Sequence, residues 1–114
     1  MTREIVNTLC ARLPGAEKSD PWGGGHDAWK IGSKMFASIG SQGGGVSVKT
    51  SDIETAQMLI DAGVGVKAPY LHRSWLHLRW GTDREELAHR IRASYGIVRS
   101  GLTEKLQATL PPAD

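Results

Sequence analysis

The chain has 114 residues, 39% of them hydrophobic and 23% charged, with a formal net charge of +2. A chain of this length buries roughly two thirds of its unfolded surface as one domain, and its composition excludes a wholly disordered polymer. The single cysteine, Cys10, excludes an internal disulfide, and no apolar stretch approaches the ~20 residues of a membrane span.

The chain opens without a basic, then apolar, leader pattern, so the cytoplasm is the expected compartment. Thr2 is a good N-cap, and Ile5, Val6, Leu9 and Leu13 recur at helical spacing until Pro14-Gly15 stops the run. Cys10 borders that stripe with no basic partner nearby in sequence, which predicts a buried, inert thiol. After a polar stretch, residues 26–31, 34–40 and 45–50 read as three strands joined by connections too short for a crossover helix, hence an antiparallel meander. Ser51 with Glu54 forms a capping-box pattern ahead of a helix whose apolar face holds Ile53, Ala56, Met58, Leu59 and Ile60 and which Gly63 ends. A loop through Pro69 leads to an alternating strand, Trp75 to Trp80. Thr82 with Glu85 forms a second capping box, followed by Leu87, Ile91, Tyr95, Val98 and Leu102 at helical spacing. The tail through Pro111-Pro112 is expected to fray. With no repeat and no linker, the expected organisation is a single α+β domain: an antiparallel sheet with helices packed on one face.

The pieces Trp29-Lys30-Ile31-Gly32-Ser33-Lys34-Met35-Phe36-Ala37, Val46-Ser47-Val48-Lys49, Ala68-Pro69-Tyr70-Leu71, Trp75 and Ser94-Tyr95 occur in an order that resembles the MmcQ/YjbR-like family over nearly the whole chain. The resemblance implies a CyaY-like α+β fold of double-wing shape and a suspected role in binding DNA. Two departures stand out: Ser33 sits where many members have a second glycine, and the run Gly23 to Gly25 is richer in glycine than usual.

The motifs that would carry chemistry fail on context. Gly63-Val64-Gly65-Val66-Lys67-Ala68 matches a dinucleotide fingerprint, but a helix precedes it and Pro69 follows, the reverse of the required strand and helix. The other glycine runs lack the lysine-serine or lysine-threonine pair of a phosphate loop, so they read as turns. His26, His72, His77 and His89 include no pair at zinc-motif spacing. The iron binding that a CyaY-like fold brings to mind needs clustered carboxylates, whereas the first helix offers only Glu4, with Glu17 and Asp20 beyond its end. Asp52, Glu54, Glu85 and Glu86 suit helix starts, and no acid, base and nucleophile converge. The expectation is no cofactor, no metal and no catalysis.

Charge distribution points instead to a surface. Residues 28–51 carry Lys30, Lys34 and Lys49 with no acid, and residues 62–82 carry Lys67, Arg73 and Arg79 with no acid. Strand alternation places Leu76, Leu78 and Trp80 on one face and Trp75, His77 and Arg79 on the other. The same rule turns Trp29, Ile31, Met35, Ala37, Ile39, Val46 and Val48 inward and Lys30, Lys34, Phe36, Ser38, Ser47 and Lys49 outward, unless a bulge reverses the middle strand. The face opposite the helices would then gather Lys30, Lys34, Lys49, Trp75, His77 and Arg79 with no carboxylate, and Arg73 beside them. Such a surface suits a phosphate backbone, with cations releasing counterions and an exposed aromatic stacking on a base. The rival expectation is a protein-interaction or small-ligand module, including a homodimer, using the same face or the loop from Ala68 to Ser74.

Overall fold

The computed structural model describes residues 2–112. Its element order is α1 (Arg3–Ala11), β1 (Glu17–Ser19), β2 (Asp27–Ile31), β3 (Lys34–Ile39), β4 (Gly45–Lys49), α2 (Ile53–Asp61), β5 (Val66–Lys67), β6 (Trp75–Arg79), α3 (Arg84–Ser100) and α4 (Glu104–Ala108). The strands form one antiparallel sheet in the order β1-β2-β3-β4-β6-β5. Helices α1 and α3 pack on one face, as the α+β expectation has it. No helix among the described residues is long and apolar enough to cross a membrane.

Register explains the core. Val46 opposes Leu78, Val48 opposes Leu76, and Ala37 opposes both Val48 and Trp29, which places these residues on one face. There they meet Leu87, Ile91, Tyr95 and Val98 from α3 and Val6 and Cys10 from α1. Cys10 is fully buried, and loss of solvent pushes its thiol up to about 12, so it stays a protonated core group. At its start α1 is capped by Thr2, whose hydroxyl accepts from Ile5 N. Asparagine 7, Asn7, gives α1 a polar anchor by accepting from Trp29 Nε1 at 2.8 Å.

Several local expectations are corrected. The caps of α2 and α3 are Asp52 and Asp83, accepting from Thr55 N and Glu86 N, rather than Ser51 and Thr82 one position earlier. A carboxylate there both accepts the amide hydrogen and offsets the helix dipole, so it outcompetes the neighbouring hydroxyl. The apolar face of α2 is narrower than its sequence suggests: Ala56 and Leu59 are buried, while Met58 is 61% exposed. The short strands β1 and β5 and the helix α4 lie in segments read as loops or tail, too short for periodicity to show.

The main correction is a bulge. Trp29 opposes Ala37, but Lys30 opposes Met35, so β3 carries one extra residue, Phe36. Phe36 therefore turns inward rather than outward and is fully buried, its ring meeting Tyr95 edge-on with centroids 5.4 Å apart. Met35 pairs with Lys30 on the open side, and Lys34 pairs with the buried Ile31 on the helix side, the reverse of the expected assignment. Buried Ser94 of α3 repairs the interrupted ladder: its Oγ donates to Phe36 O at 2.6 Å and accepts from Lys49 N at 2.8 Å. Serine at position 33 leaves the hairpin intact, because Gly32 and Ser33 both adopt left-handed φ angles, 56° and 70°, as a two-residue strand connection of the I′ type requires.

Arg3 ties α1 to the lower end of the sheet. Its guanidinium donates to Asp27 Oδ2 at 2.8 Å, to Gly25 O at 3.2 Å and to Gly40 O. Burial raises the Asp27 carboxyl, but hydrogen bonds from Asn7 and Arg3 and the charges of Lys18 and Arg3 outweigh it and hold the group below its ordinary value. A carboxylate with a depressed folded value contributes stability that is fully present above its unfolded value, about 3.9, and is lost as pH falls through the folded one. Thermal melts taken downward from pH 6 are therefore expected to steepen in their loss of stability below about pH 4. The Asp27→Asn protein should start less stable and lose less over that window; an identical acid profile for both proteins would remove Asp27 from the account.

Candidate functional site

The face of the sheet away from α1 and α3 does not gather its cations as alternation alone suggests. Lys30 lies on it but faces Glu17 across the β1–β2 pair, so the face includes a carboxylate. Lys34 is on the other side of the bulge. Lys49 is partly covered, its Nζ donating to Ser74 Oγ at 2.9 Å, and it borders a hollow with Asp52 and Glu54. Arg73 is exposed in the loop before β6, and Arg79 is exposed at the far end of that strand, beside a hollow that also holds Asp83 and Glu86. Trp75 opposes Lys49 on the expected face but is only 8% exposed, so it cannot serve as an open stacking platform. His77 opposes Ser47, and burial followed by the Arg79 charge lowers its pKa, so it is neutral near neutral pH.

What this face does bring together is a cleft of ≈ 670 Å³. Its floor is Ser38, Ser47 and His77, contributed by β3, β4 and β6, with Ser47 Oγ and His77 Nδ1 3.0 Å apart. Gly45 is needed for that floor, because a Cβ there would lie 2.9 Å from His77 Nε2 and collide with the Leu78 carbonyl. One lip is the loop carrying Trp22 and His26, whose rings lie 5.2 Å apart; the opposite lip is Pro69, Tyr70 and Leu71. The turn from Gly40 to Gly44 closes the lower end, and Arg3 holds it to the Trp22 loop through the carbonyls of Gly40 and Gly25. Among the described residues no Lys, Arg, Asp or Glu lines the cleft.

Two lip residues carry the informative features. Trp22 is 57% exposed although it is the largest apolar side chain available to its loop. Tyr70 is fully exposed and sits at φ 66°, a left-handed conformation that costs a bulky residue of order 1–3 kcal/mol. An aromatic ring held out into solvent at that cost is placed for something other than the core. The loop from Ala68 to Ser74 was already a candidate in the sequence, but the Trp22 lip was missed, because Trp22 lies 48 residues before Tyr70 and meets that loop only across a floor of unremarkable serines. The usable signal was an aromatic residue set among glycine, proline and polar neighbours, twice. Among the described residues no group of three or more His, Cys, Asp or Glu is placed to hold a metal ion.

A family model described as YjbR matches residues 11–97. The crystal structure of Deinococcus radiodurans protein DR2400, which carries a DUF419 domain, superposes with a TM-score of 0.81 at 20% identity, covering 94% of this chain and 86% of that one. At that identity the likeness speaks for the fold. No curated protein matches the chain.

Proposed function

The chain belongs to the YjbR family, and from the cleft on its open sheet face we propose that it is a non-enzymatic binding module for a small ligand presenting a flat, uncharged heteroaromatic ring. The observation that carries this reading is the pairing of two solvent-exposed aromatic lips, Trp22 and Tyr70, above a polar floor without charge. The ring would stack on the lips, while Ser38, Ser47 and neutral His77 offer hydrogen bonds to its edge. A volume of ≈ 670 Å³ suits such a ligand, since small-molecule sites run from roughly 300 to 1,000 Å³. Buried Trp75, neutral His77 and the carboxylates beside Lys30, Lys49 and Arg79 favour this over a phosphate-backbone surface on the same face.

Titration with adenosine, riboflavin and indole, followed by amide chemical shifts, tests the reading. The expected result is that at least one of them moves the amides of Trp22, Gly40 to Gly45 and Tyr70, with little dependence on salt. Stacking contributes about 1–3 kcal/mol per ring, so Trp22→Ala should weaken binding roughly 5- to 150-fold while leaving stability nearly unchanged. If none of the probes moves those amides at millimolar concentration, the small-ligand reading fails. If DNA moves Lys30, Lys49 and Arg79 instead, with affinity falling by nearly one decade per contacted phosphate for each decade of salt, nucleic-acid binding replaces it.

A further inference from the structure

The opposite side of the molecule carries a larger hollow, ≈ 1030 Å³, running between α1 and α3 and independent of the sheet cleft. Its rim is basic: Arg84, Arg92 and Arg99 come from α3 and Arg12 from just beyond α1, against one carboxylate among the described residues, Glu4. Its floor is apolar, with Ile5, Leu9 and Leu13 along the α1 side and Ala88 and Gly96 keeping the α3 side low.

The arginines divide by what they already hold. Arg99 is committed to the fold, donating to Tyr95 Oη at 2.8 Å and to Pro111 O at 2.5 Å, and it closes one end of the groove. Arg12, Arg84 and Arg92 are exposed, and none of them makes an ion pair among the described residues. This contrasts with Arg90 on another face of α3, which is paired with Glu86 at 3.1 Å.

We infer that this groove is a docking site for an acidic amphipathic helix of a partner protein. A trough between two helices is the natural seat of a third, whose apolar stripe would lie on Ile5, Leu9 and Leu13. Arg84 and Arg92 are two turns apart, about 12 Å along the axis at 1.5 Å per residue, and acidic residues at the same spacing on a parallel or antiparallel partner helix meet them in turn. A phosphate backbone would answer the charge but would leave the apolar floor unused. The helix therefore fits better than a nucleic acid.

The probe is a fluorescently labelled synthetic helix with leucines at helical spacing and glutamates spaced like Arg84 and Arg92. Its control has every glutamate replaced by glutamine. Fluorescence anisotropy should show saturable binding of the acidic peptide and at least about tenfold weaker binding of the control. The Arg84→Ala/Arg92→Ala protein should lose at least about tenfold in affinity with an unchanged melting temperature, because both side chains are exposed and alanine favours the helix. Charge-reversed Arg92→Glu should bind the acidic peptide more weakly still. The inference is overturned if the acidic and neutral peptides bind alike, or if the double variant binds as the parent does. It is also overturned if duplex or single-stranded DNA, and not the peptide, binds with an affinity that depends on Arg84 and Arg92.

Discussion

Replacing Phe36 by alanine is expected to lower the unfolding free energy by about 3–5 kcal/mol, a large share of the stability of a domain this size. The ring is fully buried at the bulge in β3, edge-on to Tyr95. It sits where the sheet passes beneath α3, so little nearby can collapse into the vacated volume. Phe36→Leu, which keeps most of that volume, should cost within about 1.5 kcal/mol. Denaturant unfolding of the two variants separates the contribution of volume from that of the bulge itself. A Phe36→Ala protein within about 1 kcal/mol of the parent would mean that the position is not packed as described.

Ser94→Ala removes a single oxygen, and its expected effect, about 2–6 kcal/mol, is out of proportion to its size. The hydroxyl serves two backbone groups at once, the buried Phe36 carbonyl and the part-buried Lys49 amide. Each would be left without a partner at a cost of about 1–3 kcal/mol. The distinguishing measurement is hydrogen exchange: the Lys49 amide should lose protection well beyond the global change. If protection at Lys49 falls only in step with overall stability, the serine acts as a core filler and the bridging role is wrong. The two residues are coupled through the bulge, so the double variant should cost less than the sum of the single changes.

Tyr95 and Ser94 illustrate how much was legible beforehand. Helical spacing with start and stop signals placed α1, α2 and α3, and short runs between turn residues placed β2, β3, β4 and β6, to within a residue or two. That a bulge could reverse β3 was foreseen, but whether and where it does was not legible, because the extra residue that defines it has the same apolar character as its neighbours. Only the fold shows that Phe36 takes the inner side and sends Lys34 to the other face. The expected basic face failed for a related reason. Periodicity says which side of a strand a residue points to, but not what covers that side or which acids arrive from other elements. Trp75 is on the predicted face and is buried all the same, and Glu17 reaches Lys30 through a strand of three residues with no alternating pattern. The arginine groove was hidden by summation, since the C-terminal third has nearly balanced charge. Its acids sit at the start of α3 and beyond its end, while Arg84, Arg92 and Arg99 share a side.

The sheet's outermost strands, β1 and β5, are three and two residues long. Each presents charge at its border, Glu17 and Lys18 on one side and Lys67 on the other, and Lys18 is drawn toward Asp27. Strands this short offer few unpaired amides and carbonyls to a second chain, and their charges penalise alignment with another edge. The protein should accordingly resist strand-to-strand aggregation even when concentrated, and any self-association would have to proceed through side-chain surfaces instead of by extending the sheet.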